Sequence, residues 1–150
     1  MTIPAHLLEI ETYTGSGYKP LVYYDAWRVA LMRYADEYLP QNIATLERHN
    51  ETDEVFVLLQ GQGMLFIGAG DERITQIYAE DMAPLTIYNV KRAVWHAVSF
   101  SRDATILIVE NRDTSKENSQ YCPLEAEQRS RIVELARTLW GQDAPDRKML

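Results

Sequence analysis

Glu47, His49, Glu54 and His96 are the residues of this chain whose types and spacing suit the binding of a divalent metal ion. The first three fall within eight residues of one another, and His96 lies 42 residues beyond Glu54, in the pair Trp95-His96. Carboxylate oxygens and imidazole nitrogens hold such ions about 2 Å from each donor atom. The long separation calls for distant strands of a folded pocket rather than a local clip. On an extended strand alternate side chains share a face, so Glu47 and His49 point together with Ile43 and Thr45, while Leu46 and Arg48 point away. Their Cα atoms would be roughly 6.6 Å apart at a rise of about 3.3 Å per residue, close enough for both side chains to converge on one ion. By the same alternation His96 goes with Val98 and Phe100, and Trp95 takes the opposite face. Glu54 enters from the next strand, just ahead of an apolar run, where a carboxylate must be bound or paired. It is either a metal donor or a general base, with His96 or His49 as the other choice of base.

Lys91 and Arg92 precede Trp95-His96 and are the nearest candidates to bind a substrate carboxylate, an anion that the arginine fork suits. The single cysteine, Cys122, excludes an intramolecular disulfide framework and thiolate-rich zinc sites, leaving imidazole and carboxylate as the donors. Such mixed donors accept Mn, Fe, Ni, Co or Zn without selecting among them. A net charge of −7, from 15 basic against 22 acidic residues, disfavours nucleic acid and anionic membranes as partners, so a small-molecule substrate is expected. The N-terminus has no basic start followed by an apolar stretch, and nowhere do 18 apolar residues run uninterrupted. A cytoplasmic protein that neither spans nor binds a membrane is the expectation.

The elements that must position these residues are short strands. Alternation or buried runs predict strands at 27–34, 43–49, 55–59, 64–67, 74–78, 85–89, 94–100 and 105–110. Gln60-Gly61-Gln62-Gly63 predicts a hairpin turn, and Ser101-Arg102-Asp103 a second connection of hairpin length. Gly61-Gln62-Gly63 lacks the further glycine and the helix of a dinucleotide fingerprint. Tyr23, Tyr24, Trp27, Tyr34 and Tyr38 make an aromatic-rich N-terminal third, suited to packing or a subunit interface. Residues 113–122 form a polar linker, and 123–140 a helix with Pro123 in its first turn, Ile132, Leu135, Ala136 and Leu139 on one face, and Gly141 as its stop. The tail 143–150 is expected to fray. Many strands at roughly ten-residue spacing and one helix imply a single all-β domain over 1–150, a sandwich or barrel with its strands over about 21–112.

The pattern Glu47-x-His49-x4-Glu54-x6-Gly61 resembles the first motif of the cupin superfamily, with Glu47 at the position of the first histidine. Pro84 and Trp95-His96 lie where the second motif would place them. The resemblance implies a double-stranded β-helix, that is a jelly-roll barrel, with the C-terminal α-helix beside it. It also implies Glu47, His49, Glu54 and His96 as metal ligands, with Glu54 and His96 as the catalytic pair, and a homodimer. Within the cupins, the wording Leu46-Glu47-Arg48-His49, Val94-Trp95-His96 and Leu107-Ile108-Val109-Glu110-Asn111-Arg112 looks most like ureidoglycolate lyase, although Ala93 stands where glycine is expected. That likeness implies metal-assisted release of urea from ureidoglycolate to give glyoxylate, with Lys91 and Arg92 near the substrate. A sugar-derivative isomerase or epimerase, or a cupin that binds a small ligand without catalysis, is the alternative.

Overall fold

The computed structural model describes residues 2–141, and the tail expected to fray lies outside them. In chain order the strands are β1 (Gly17–Tyr24), β2 (Trp27–Arg33), β3 (Thr45–His49), β4 (Glu54–Gln60), β5 (Gly63–Ala69), β6 (Gln76–Asp81), β7 (Ile87–Val90), β8 (Trp95–Phe100), β9 (Thr105–Asn111) and β10 (Ser119–Pro123). Helix α1 (Ala126–Trp140) follows.

The strands form two antiparallel five-stranded sheets, ordered β1-β2-β9-β4-β7 and β10-β3-β8-β5-β6. Neither closes, so the jelly-roll barrel expected from the motifs is not formed: β1 and β7 are edges of the first sheet, β10 and β6 of the second. The edge strands carry features that resist further pairing. Pro20 and a bulge between Pro20 and Val22 interrupt β1, Pro123 ends β10, and β7 has only four residues. Strand spacing in a sequence cannot distinguish closed from open sheets, because it carries no information about which strands pair.

The two connections predicted as hairpins cross between sheets instead. β4 pairs with β7 and β9 while β5 pairs with β6 and β8, so the Gly61 turn carries the chain from one sheet to the other, as Ser101-Arg102-Asp103 does between β8 and β9. These corners lock together: the Gln62 N–H donates to Ser101 Oγ and the Ser101 N–H to the Gln62 carbonyl, both at 2.9 Å. Gly61 has φ +77°, and a Cβ there would lie 2.6 Å from Ala104 Cα, so the close approach requires glycine.

Between the sheets lies one apolar core, with Ala30, Met32, Phe56, Leu58, Ile106 and Ile108 from the first sheet against Leu65, Val98 and Phe100 from the second. The outer face of the second sheet holds Leu46, Phe66, Ile77 and Trp95, and α1 covers it with Ile132, Ala136 and Trp140. Leu139, expected on that face, is exposed; Trp140 is buried instead and donates its indole N–H to Asp81 at 2.8 Å. α1 begins at Ala126 with a capping box between Glu125 and Gln128. Pro123, predicted to open the helix, is the last residue of β10, a strand formed from residues whose composition suggests a linker.

Candidate active site

The open end of the sandwich, opposite the locked corners, is where the polar residues gather. On β3, Leu46 packs under the helix and the Arg48 guanidinium stacks 4.4 Å from the Trp95 ring, also on the outer face. Alternation therefore turns Glu47 and His49 inward. On β8 the same rule sends Trp95 out and His96 in, and in the first sheet Glu54 and Glu110 point inward at the ends of the rows Leu58, Phe56 and Ile106, Ile108. These side chains line a cavity of about 800 Å³, whose walls also include Tyr18, Arg28, Tyr38, Lys116, Ser119 and Tyr121.

Glu54 stands between the two imidazoles. Its Oε2 lies 3.0 Å from His49 Nε2 and 2.9 Å from His96 Nε2, and the rings are 5.3 Å apart, edge to face. The other ring nitrogens are held from behind: His96 Nδ1 donates to the Val94 carbonyl at 3.0 Å, and His49 Nδ1 lies 2.8 Å from Ser119 Oγ. A carbonyl only accepts, so His96 Nδ1 is protonated; Nε2 is turned to Glu54 and the cavity, donating to the carboxylate when the ring is charged and open to an ion when it is neutral. Ser119 and Tyr121 come from β10, whose register sets Ser119 opposite His49 and Tyr121 opposite Glu47.

Burial acts against the charged form of all these groups, and the neighbours decide the outcome. Hydrogen bonds from both imidazoles outweigh burial at Glu54 and hold its carboxyl below the usual range. The same bonds outweigh burial at His49 and His96 and raise both. At Glu47 burial prevails over the nearby histidines and raises the carboxyl, and burial together with Glu47 raises the Tyr121 phenol.

Ligand atoms of Glu47, His49 and His96 lie within 4.8 Å of one another, and so do those of His49, Glu54 and Glu110. This buried His/Glu cluster has the geometry of a divalent metal site, and its donors fit such an ion: two imidazoles with outer nitrogens fixed, and carboxylates that need a partner in a buried setting. Each of the four residues expected as ligands belongs to one of these two groups, and His49 belongs to both.

Lys91 and Arg92 do not join them. They lie outside the cavity in the loop before β8, where Asp53 accepts from the Arg92 N–H at 2.8 Å and from Lys91 Nζ at 3.3 Å; the Lys91 side chain is 71% exposed. Arg28 and Lys116 are the basic residues that line the cavity. Neither was legible, nor were Tyr18, Ser119 and Tyr121. Glu110 had a usable signal, since Ile106, Ile108 and Glu110 alternate on one face.

No protein-family model matches the sequence, and no curated protein matches it either. Among solved structures the chain is similar to the capsular polysaccharide assembling protein CapF from Staphylococcus aureus, with 11% identity and a TM-score of 0.54 over 75% of this chain and 34% of that one. It is also similar to Pac13, described as a unique nucleoside dehydratase, with 9% identity and a TM-score of 0.51 over 78% of this chain and 88% of that one. The chain thus spans about a third of CapF and most of Pac13. These likenesses are of fold alone and do not bear on ureidoglycolate lyase in particular. No helix among the described residues is long and apolar enough to cross a membrane.

Proposed function

We propose that the cavity is the active site of a metal-assisted, cupin-type enzyme acting on a small hydroxylated carbonyl compound, in the manner of a sugar-derivative isomerase or epimerase. The observation that carries this reading is Glu54, a buried carboxylate whose Oε2 meets the Nε2 atoms of both His49 and His96 at the base of the cavity. Glu47, His49 and His96, whose ligand atoms lie within 4.8 Å of one another, would hold the ion, and a bound divalent ion supplies Lewis acidity toward a substrate oxygen. A carboxylate already engaged with two imidazoles is placed to accept a proton at Oε2 and return it from the same side. Tyr38 and Tyr121, with Asn42 and Thr45, offer hydroxyl and amide groups to a polyhydroxylated substrate. Phe56 packs edge to face on His96 at 5.9 Å and limits water beneath it.

Ureidoglycolate lyase, the reaction implied by the sequence motifs, is a second reading. It needs a cation for the substrate carboxylate. With Lys91 and Arg92 outside the cavity, Lys116 is the lining residue for that task, since Arg28 is engaged by Glu110.

Both readings meet one experiment. The protein is loaded in turn with Mn, Fe, Co, Ni or Zn and given ureidoglycolate, with glyoxylate as readout, or ketose and aldose derivatives in D2O, with deuterium incorporation as readout. Deuterium uptake that Glu54→Gln abolishes is the expected result. Glyoxylate release above the spontaneous rate would favour the lyase, and neither signal under any ion would leave a non-catalytic binding protein.

A further inference from the structure

We propose that Glu110 completes a second, oxygen-rich cation position with His49 and Glu54, overlapping the position formed by Glu47, His49 and His96. The inference rests on the metal reading of the cavity and adds a donor to it. Glu110 is only 5% exposed and sits at the inward end of the row Ile106, Ile108 on β9. Its two oxygens are used very differently. Oε1 accepts from the Tyr18 hydroxyl, from Arg28 Nε at 3.1 Å and from Arg28 Nη2 at 2.9 Å. Arg28 in turn gives Nη1 to the Arg112 carbonyl and Nη2 to that of Thr114, so its fork is anchored between Glu110 and the backbone.

Oε2 accepts no hydrogen bond among the described residues; its one polar approach is to His49 Nε2, at 3.9 Å. That distance is too long for a hydrogen bond. Oε2 is thus held in orientation by the clamp on Oε1, faces the cavity, and is aimed at an imidazole with its lone pairs uncommitted, as a donor oxygen must be. Its ligand atom lies within 4.8 Å of those of His49 and Glu54.

The two donor sets differ in chemistry and in origin. Glu47, His49 and His96 offer two nitrogens, all from the second sheet, and suit Zn, Ni or Co. His49, Glu54 and Glu110 offer two carboxylates and one nitrogen and suit a harder ion such as Mn²⁺. Because β4 and β9 belong to the first sheet, an ion in the second position would tie the two sheets together, whereas one in the first would not.

The test is to titrate the full chain with Mn²⁺, following free ion by electron paramagnetic resonance, and separately with Zn²⁺ against a chromophoric chelator. Glu110→Gln should weaken Mn²⁺ by about tenfold or more and Zn²⁺ much less, and Glu47→Gln should do the reverse. Mn²⁺ should also raise the melting temperature of the wild type, and this gain should vanish in Glu110→Gln. Since that change leaves Arg28 without its counter-charge, folding of each variant is checked by circular dichroism. Glu110→Asp, which keeps the charge but withdraws the oxygens, and Tyr18→Phe, which loosens the clamp, should give the same selective loss of Mn²⁺ to smaller degrees. Ion binding that ignores Glu110, or equal weakening of both ions across these variants, would overturn the proposal alone. No binding of either ion by the wild type would overturn it together with the metal reading.

Discussion

Glu47 on β3 stands directly opposite His96 on β8 in the ladder of the second sheet. This pairing, rather than closeness in sequence, unites the two halves of the cluster. Side chains on a strand alternate, so a slip of one residue would turn one half away from the other. The front of the sheet is fixed by its back: Leu46 and Trp95, the outward neighbours of this pair, are buried beneath α1.

The coupling of Glu54 to two histidines makes metal-free stability depend on pH in both directions. A carboxyl held low contributes stability that is present above its unfolded value near 4.5 and lost as pH falls through the folded value. Histidines held high contribute stability that is present below about 6.5 and lost as pH rises through their folded values. Glu47, raised by burial, adds a loss that begins as pH rises above its unfolded value near 4.5. Calorimetry of the metal-free protein should therefore give its highest melting temperature between about pH 4.5 and 6.5. A melting temperature that climbs steadily from neutral to alkaline pH would contradict this assignment.

Metal affinity should run the other way. An ion needs the imidazole Nε2 atoms unprotonated, so binding should strengthen as pH rises and should release protons that calorimetry in buffers of different ionisation enthalpy can count. Ser119→Ala, which removes the hydroxyl behind His49 Nδ1, should weaken the ion by about tenfold without removing a ligand. An unchanged affinity would mean that Ser119 does not position His49.

Ala93 adopts φ +62° in the turn before β8, where its N–H donates to the His49 carbonyl at 2.8 Å. A left-handed conformation costs a non-glycine residue roughly 1–2 kcal/mol. Ala93→Gly should therefore raise stability in urea by up to about 1 kcal/mol after the added freedom of the unfolded chain is deducted. A lower urea midpoint would show that the turn is not strained.

Gly61→Ala should do the opposite at the far end of the sandwich. It sets a Cβ against the Ala104 backbone at a positive φ, and should cost roughly 2–4 kcal/mol from overpacking and backbone strain together. Ion affinity of the folded fraction should be unchanged, because the corner and the site lie at opposite ends of β4. A change in affinity would show that the two ends are coupled.

The parts of this molecule legible in the sequence are those that alternation controls. The inward turn of Glu47, His49 and His96, and the outward turn of Leu46 and Trp95, follow from the period of a strand. Pairing follows from the folded chain, so the crossing turns at Gly61 and Ser101 resembled hairpins and the open sheets resembled a barrel. β10 escaped notice because Ser119-Gln120-Tyr121-Cys122-Pro123 is polar and largely exposed, with no apolar face to declare a strand. Ser119 and Tyr121 were hidden with it. Lys91 and Arg92 lie outside the cavity for a related reason: Asp53 holds the loop that carries them, ahead of the left-handed turn at Ala93, so closeness to His96 along the chain does not bring them to it.

β10 is bonded on one side only, to β3, yet it supplies the wall that carries Ser119 and Tyr121. Its backbone amides should exchange with solvent sooner than those of β8 at the centre of the same sheet, since an edge strand opens at a lower cost than a flanked one. The cavity therefore has a rigid floor of histidine and glutamate and one wall able to breathe. The size of molecule admitted would be governed by five marginal residues at the border of a sheet, while the groups beneath stay in register.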